Sequence, residues 1–336
     1  MPPVPSLPAA GQLRSDEDEH MDDERAAQSA ARVGGQAVIE GVLMRAGDRA
    51  CVAVRRPDGG IETRDLPVPG WARRYEGQPF ARGLAALGES LVVGIEALRW
   101  SEGAAGHRPA DKRPAPLWLL LAISLVAVLG LVVFLPATVA GLVAGGTVWF
   151  GVVEAVARIA VLAAYVGLAT RRPEVRRVFQ YHGAEHLVVS GHEAGRPLQA
   201  SALRGGSLLH PRCGTSFLLV VAAVAAIAHP LLPHDPVVLR FVARILVVPL
   251  VAAVAYEVLT ALGRVAAHRP GGRLDRALLW PQRFTTRRPD DDQVEVAIAA
   301  LEGALAAAPA PAAQTRTGPV SVLLTGPAIA PSRTSS

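Results

Sequence analysis

Apolar positions crowd into two stretches of this chain, roughly 117–169 and 216–262, and polar positions dominate the rest. The run from Leu117 to Leu135 carries no charge and matches the length of one membrane helix, about 20 residues. The apolar stretch that follows, 137–169, is too long for a single span at about 1.5 Å per residue. Its glycine-rich start (Gly141, Gly145, Gly146) predicts a turn, leaving a second span near 147–168. A third span is expected over 216–232, closed by His229-Pro-Leu-Leu-Pro. A fourth fits about 238–262, where Pro249 is tolerable because membrane helices accommodate proline. The pattern predicts a mainly α membrane protein with four transmembrane helices.

Outside these blocks the pattern changes. Residues 1–31 are rich in proline, alanine and acids without apolar periodicity, and read as a disordered tail, as do residues 307–336. From Val33 to about Pro69 the chain reads as a small β-rich piece. Cys51-Val-Ala-Val-Arg alternates, Pro57-Asp-Gly-Gly turns, and Ile61-Glu-Thr-Arg-Asp-Leu returns, which predicts a β-hairpin. Leu84, Leu87, Leu91, Ile95 and Leu98 then recur at helical spacing, so 32–116 reads as this piece plus an amphipathic helix, packed at the membrane surface or on the strands. Within 264–306, Asp290 with Gln293 three residues on makes a helix start. Val294, Ile298, Leu301 and Leu305 form one apolar stripe, so a C-terminal amphipathic helix is expected to dock on the cytoplasmic part.

Composition agrees with a membrane protein: 336 residues, 51% hydrophobic, only 19% charged, mean hydropathy +0.30. The pI of about 9.8 comes almost wholly from arginine, Lys112 being the only lysine. Those arginines flank apolar blocks and are not interleaved with aromatics, which favours membrane orientation over nucleic-acid binding. The segment 170–215 holds Arg171, Arg172, Arg176, Arg177, Arg196, Arg204 and Arg212, whereas the turns at the other ends of the spans hold almost none. The positive-inside rule therefore makes 170–215 a cytoplasmic loop, with both termini cytoplasmic, in a multi-pass protein of the cell membrane. No secretory signal peptide is expected from the acidic start of the chain. Within the spans, Glu154 and Arg158 are expected to neutralise each other, and Arg240 and Arg244 to snorkel. His192, Glu193, His229 and His234 read as loop residues.

The chemistry-bearing signal is Tyr181-His182-Gly-Ala-Glu185-His186. On a helix, His182 and His186 lie one turn apart on one face, suited to converging on a metal ion, with Glu185 beside them to accept a proton from an attacking water. H-x-x-E-H is also the spacing of the inverted zinc peptidases, in which a later glutamate completes the ligand set. The alternative is two histidines in a polar loop. His210-Pro-Arg-Cys213-Gly is half of a zinc-knuckle pattern, or a structural turn leading into the third span. Glu257 lies inside the last turns of an apolar helix, as a ligand or as a carboxylate paired with Arg264. Two scattered cysteines, Cys51 and Cys213, make no disulfide framework. In Gly34-Gly-Gln-Ala-Val-Ile-Glu-Gly-Val-Leu-Met-Arg45 the glycines imply close backbone approach, and Gln36, Glu40 and Arg45 are candidates to line a site.

Taken together, GGQAVIEGVLMR, YHGAEH, HPRCGTSFL, Tyr256-Glu257 and TTRRPDDDQVEVAIAAL resemble the YqhQ family of bacterial membrane proteins. Those segments cover most of residues 33–305. The resemblance implies a four-span protein described as a predicted metal-dependent enzyme, without an established substrate. It carries over His182, Glu185, His186, His210, Cys213 and Glu257 as metal-site positions. Leu187 stands where a lysine commonly follows the motif, and Arg288 where an acid precedes Pro289. Two functions follow as expectations. One is a zinc-dependent hydrolase acting on a peptide or amide at the inner face, with Glu185 as general base. The other is a scaffold or assembly factor in which a closed shell of His182, His186, His210 and Cys213 is structural.

Overall fold

Strict alternation builds the N-terminal sheet. The computed structural model describes residues 33–107, 129–145, 149–211, 213–233, 236–267 and 271–306, together with 119, 123, 124, 126 and 127. Four strands, β1 (Val33–Val38), β2 (Gly41–Ala46), β3 (Arg49–Arg55) and β4 (Ile61–Leu66), form an antiparallel meander in sequence order. The expected hairpin is its β3–β4 half, with Cys51 opposite Asp65. Because successive side chains point to opposite faces, Val42, Met44, Cys51 and Ala53 join one core while Leu43, Ala50, Val52 and Val54 join another. A two-faced apolar sheet must be covered on both sides.

Helices supply both covers. After a short α1 (Trp71–Arg74), the expected amphipathic helix α2 (Ala81–Ala104) lays Val93 and Ala97 on one face of the sheet. Its first turns instead meet the membrane bundle: a methyl group on Gly83 would stand 2.7 Å from the Tyr256 ring. The other face is covered by α5 (Pro173–Glu193) and by α11 (Asp291–Ala306), which buries Val294, Ile298 and Leu301. Gln293 reaches back to the Asp290 backbone N–H at 3.0 Å, one half of a capping box.

Three helices among the described residues are long and apolar enough to cross a membrane, which is compatible with a membrane protein. They are α4 (Phe150–Ala169), the stretch Gly214–Leu231 that begins with α7 (Gly214–Ala228), and α8 (Val237–Ala267, apolar as far as Ala266). Their outward sides expose Val156, Ile159, Leu218, Ile227, Leu246 and Leu250, an apolar surface that water would not tolerate. The first expected span lies largely outside the described residues. Its described end differs from expectation: a π-helical turn, Gly130–Phe134, runs into α3 (Leu135–Ala144), so this helix ends at Ala144 and not near Leu135. Pro136 has no N–H for the Val132 carbonyl one turn back, which instead accepts from Arg158 Nε at 3.0 Å, and the helix runs through it. The two tails lie outside the described residues.

The segment expected as a loop, 170–215, is also reshaped. Pro173 at the first helical turn and Glu174 near the positive helix end start α5, and nothing breaks it for 21 residues. A short α6 (Ala200–Leu203) follows. Beyond α8, the short helices α9 (Arg273–Leu279) and α10 (Gln282–Thr285) fold back along α7 and α5. Fully buried Gln282 clips these segments together: its Nε2 donates to the His210 carbonyl at 2.7 Å and its Oε1 accepts the His210 N–H at 2.8 Å. Replacing Gln282 by Leu strands that buried N–H, and urea unfolding is expected to register a loss of about 2 kcal/mol.

Candidate metal centre

Helical spacing brings His182 and His186 onto one face of α5, with ring centroids 4.4 Å apart. The residue preceding α7, Cys213, points its sulfur at the same spot, 3.2 Å from His182 Nε2. One ligand atom from each of His182, His186 and Cys213 lies within 4.8 Å of the other two. No other group of three such residues is drawn together in this way among the described residues.

The histidines are held in a defined tautomer. His182 Nδ1 lies 2.9 Å from the Thr285 carbonyl oxygen, and His186 Nδ1 lies 2.5 Å from that of Leu208. A carbonyl only accepts, so both Nδ1 atoms carry the proton and both Nε2 lone pairs are left to coordinate. His186 Nε2 is buried and makes no well-formed hydrogen bond among the described residues, with only the Glu185 carboxylate at 3.4 Å beside it. Cys213 also sits at the N-terminal end of α7, and Thr215 Oγ1 stands 3.1 Å from its sulfur. The donor set suits a divalent ion of zinc type.

Glu185 is buried beside the cluster, with Oε2 3.4 Å from His186 Nε2. Room for it comes from Gly35 of β1, where an added methyl group would meet Leu43 O at 2.6 Å and Glu185 Cγ at 2.8 Å. His210 stands next in line, its ring 5.8 Å from that of His186 and its Nε2 3.3 Å from Glu193 Oε2. Glu257 does not join them. Arg82 grips its carboxylate from α2, and the Phe80 N–H donates to it at 3.0 Å, so its partner is neither the cluster nor the expected Arg264 alone. This pair ties the start of α2 to α8.

The glycine-rich N-terminal motif serves several purposes. Gln36 faces a cleft of about 370 Å³ that is also lined by His182, Cys213, Phe179, Phe217 and Leu218. Glu40, in a left-handed turn conformation (φ 50°), pairs with Arg177 and accepts from the Tyr181 hydroxyl at 3.3 Å. Arg45 instead pairs with buried Glu89 on α2 at 2.5 Å. Burial and the nearby Asp65 push the Cys51 thiol up to about 11, which makes it an inert core residue.

Sequence reasoning read close backbone approach at Gly35 but did not find Leu208, Gln282 or Thr285, which position the ligands. One signal was available: Gly183, between the two histidines, sits where a methyl group would collide with the Arg287 carbonyl. A glycine inside a helical motif marks close backbone approach, and here the Thr285–Pro289 segment lies against α5, with the Arg287 N–H donating to Phe179 O at 2.9 Å.

Burial lowers the pKa of His186, His210 and His192 below the ordinary 6.5. Each binds fewer protons folded than unfolded, so their contribution to stability is complete above about pH 6.5 and declines as pH falls below it. Thermal unfolding of the metal-free chain should show this decline as pH falls below about 6.5, at up to about 1.4 kcal/mol per pH unit for each histidine kept neutral.

Comparison with known proteins agrees on kinship. A family model described as "Protein of unknown function (DUF1385)" matches residues 78–307. The "Uncharacterized protein YqhQ" of Bacillus subtilis (strain 168) is 32% identical over 291 residues, covering 79% of this chain and 89% of that protein. No solved structure matches. The family match contains His182, Glu185, His186, His210, Cys213 and Glu257, and by its extent and the identity to this relative the chain belongs to the YqhQ family, DUF1385.

Proposed function

We propose that this protein is a multi-pass cell-membrane metalloprotein that holds a divalent ion, zinc by donor type, on His182, His186 and Cys213, and that it hydrolyses a peptide or amide at the cytoplasmic face. The observation that carries this reading is the convergence of one ligand atom from each of His182, His186 and Cys213 within 4.8 Å, with both Nδ1 atoms committed to backbone carbonyls. Imidazole and thiolate together favour zinc over the harder cations. Zinc would supply Lewis-acid polarisation and a more acidic water. Glu185 is the group to take the proton, being buried against His186 and having no part in the three-ligand set. Gln36 and the apolar wall of Phe179, Phe217 and Leu218 would hold the substrate in the adjoining cleft. The arginines Arg171, Arg172, Arg176 and Arg177, between α4 and the histidines, support a cytoplasmic position for the site and for both termini.

His210 gives a specific ground for the second reading, a scaffold or assembly factor with a structural ion. Its ring is 5.8 Å from that of His186, so a modest movement would close a four-ligand shell. Cobalt(II) loading separates the two. In an open three-ligand site, thiolate-to-cobalt absorption is expected in the wild type, absent in Cys213→Ser, and shifted when azide is added. A spectrum that azide leaves untouched, and that collapses in His210→Ala, would reject the hydrolase. With an enzyme, Glu185→Gln folds and keeps metal but loses turnover, whereas a scaffold is indifferent to that change.

A further inference from the structure

A second concentration of charge lies inside the apolar bundle, remote from the histidine–cysteine cluster. Glu154 and Arg158 of α4, Arg244 of α8 and His229 just beyond α7 converge there, and each is at most 4% exposed. His229 follows the 15-residue α7 that begins beside Cys213, so about 22 Å of helix separates the two clusters. Arg244 donates Nε and Nη2 to the two oxygens of Glu154 at 3.2 and 2.8 Å. Arg158 donates Nη2 to Glu154 Oε1 at 2.7 Å and Nε to the Val132 carbonyl at 3.0 Å. Its Nη2 also lies 2.6 Å from His229 Nδ1. That same Nδ1 stands 3.2 Å from Glu154 Oε1, so the imidazole belongs to the knot and adds no negative charge to it. The expectation that Arg244 would snorkel and that His229 would sit in a loop is therefore overturned. Both are buried against the Glu154 carboxylate inside the bundle.

Among the described residues of this cluster the charges do not balance: one carboxylate, Glu154, faces two guanidiniums, those of Arg158 and Arg244. Arginine does not shed its proton, and an uncompensated charge in a dry apolar interior is costly. The surplus has a direction: Arg158 is 97% buried (3% exposed), and its Nη1 has no hydrogen-bond partner among the described residues. We infer that this cluster is an anion site for a phosphate-type oxyanion, either free phosphate or the phosphate of a phospholipid headgroup at that end of the bundle. The free Nη1 hydrogens supply the directional contact, and the arginine surplus supplies the attraction.

The test uses the full chain, delipidated in uncharged detergent and phosphate-free buffer, with thermal unfolding as the readout. Inorganic phosphate, added against sodium chloride of equal ionic strength, raises the midpoint saturably if the free ion is the ligand. A rise only with mixed micelles containing phosphatidylglycerol, and retention of that lipid in native mass spectrometry, assigns the headgroup instead. Glu154→Gln removes the competing carboxylate and should tighten binding about tenfold. Arg158→Lys keeps the charge but loses the fork, and should weaken binding by a similar factor. No saturable rise with either ligand in the wild type overturns the inference. So does an unchanged affinity in folded Glu154→Gln and Arg158→Lys proteins, because a purely structural ion-pair knot would alter stability and leave affinity alone.

Discussion

Elemental analysis of the purified full chain should find about one zinc per protomer, falling almost to zero in His182→Ala, His186→Ala and Cys213→Ala. Three donors sharing one ion lose most of their affinity when any one is removed, since the remaining pair cannot complete a tetrahedral shell. The contrast with neighbouring carboxylates makes this result decisive. Glu185→Gln should keep its metal, because Glu185 lies beside the three-ligand set and not in it. Glu257→Gln should also keep it, because that carboxylate is held by Arg82 and the Phe80 N–H. Metal retained in Cys213→Ala but lost in Glu257→Gln would return Glu257 to the ligand set and break the arrangement described above. His210→Ala is the graded case: a small loss fits the position of a neighbour, and a complete loss fits a fourth ligand.

The second large effect is expected at a residue with no functional group. Gly183→Ala should destabilise the protein by about 3 kcal/mol in denaturant unfolding, since the added methyl group meets the backbone carbonyl of Arg287 and neither the helix nor the returning segment can yield cheaply. Its second consequence is chemical. Pushing the Thr285–Pro289 segment off α5 draws the Thr285 carbonyl away from His182 Nδ1, releasing the ring from its coordinating tautomer. Loss of such a supporting hydrogen bond typically weakens metal binding about 10–100-fold. Competition with a chelator would expose that weakening in Gly183→Ala. A control such as Gly263→Ala, where an added methyl group meets nothing within 4 Å, should weaken neither the fold nor zinc retention.

Several of these features are legible in the order of amino acids alone. Alternation in Cys51–Arg55 and Ile61–Leu66 makes a hairpin, and the Val294–Leu301 stripe makes a docking helix, because periodicity reports which face is buried. The four-residue step from His182 to His186 is likewise a helical fact, and it puts both imidazoles on one face. Span boundaries are less legible. Of the glycines read as a turn, Gly145 does end the helix after Ala144, whereas Gly141 lies within it, since local propensity is a weak guide where packing helices satisfy the backbone.

Local pattern thus determined the apolar helices, the strands and the motif-bearing face. It could not determine partners, because partnership among polar groups in a dry interior is decided by which elements meet. Cys213 reaches the histidines only because Gln282 clips its turn to the returning chain, and Glu257 is lost to the cluster only because Arg82 arrives first from α2. Arg244 reads as a snorkelling cation and His229 as a loop residue in sequence, and both are part of a buried knot around Glu154 in three dimensions. Burial makes every such group find a donor or an acceptor, and only the tertiary structure says which one is within reach.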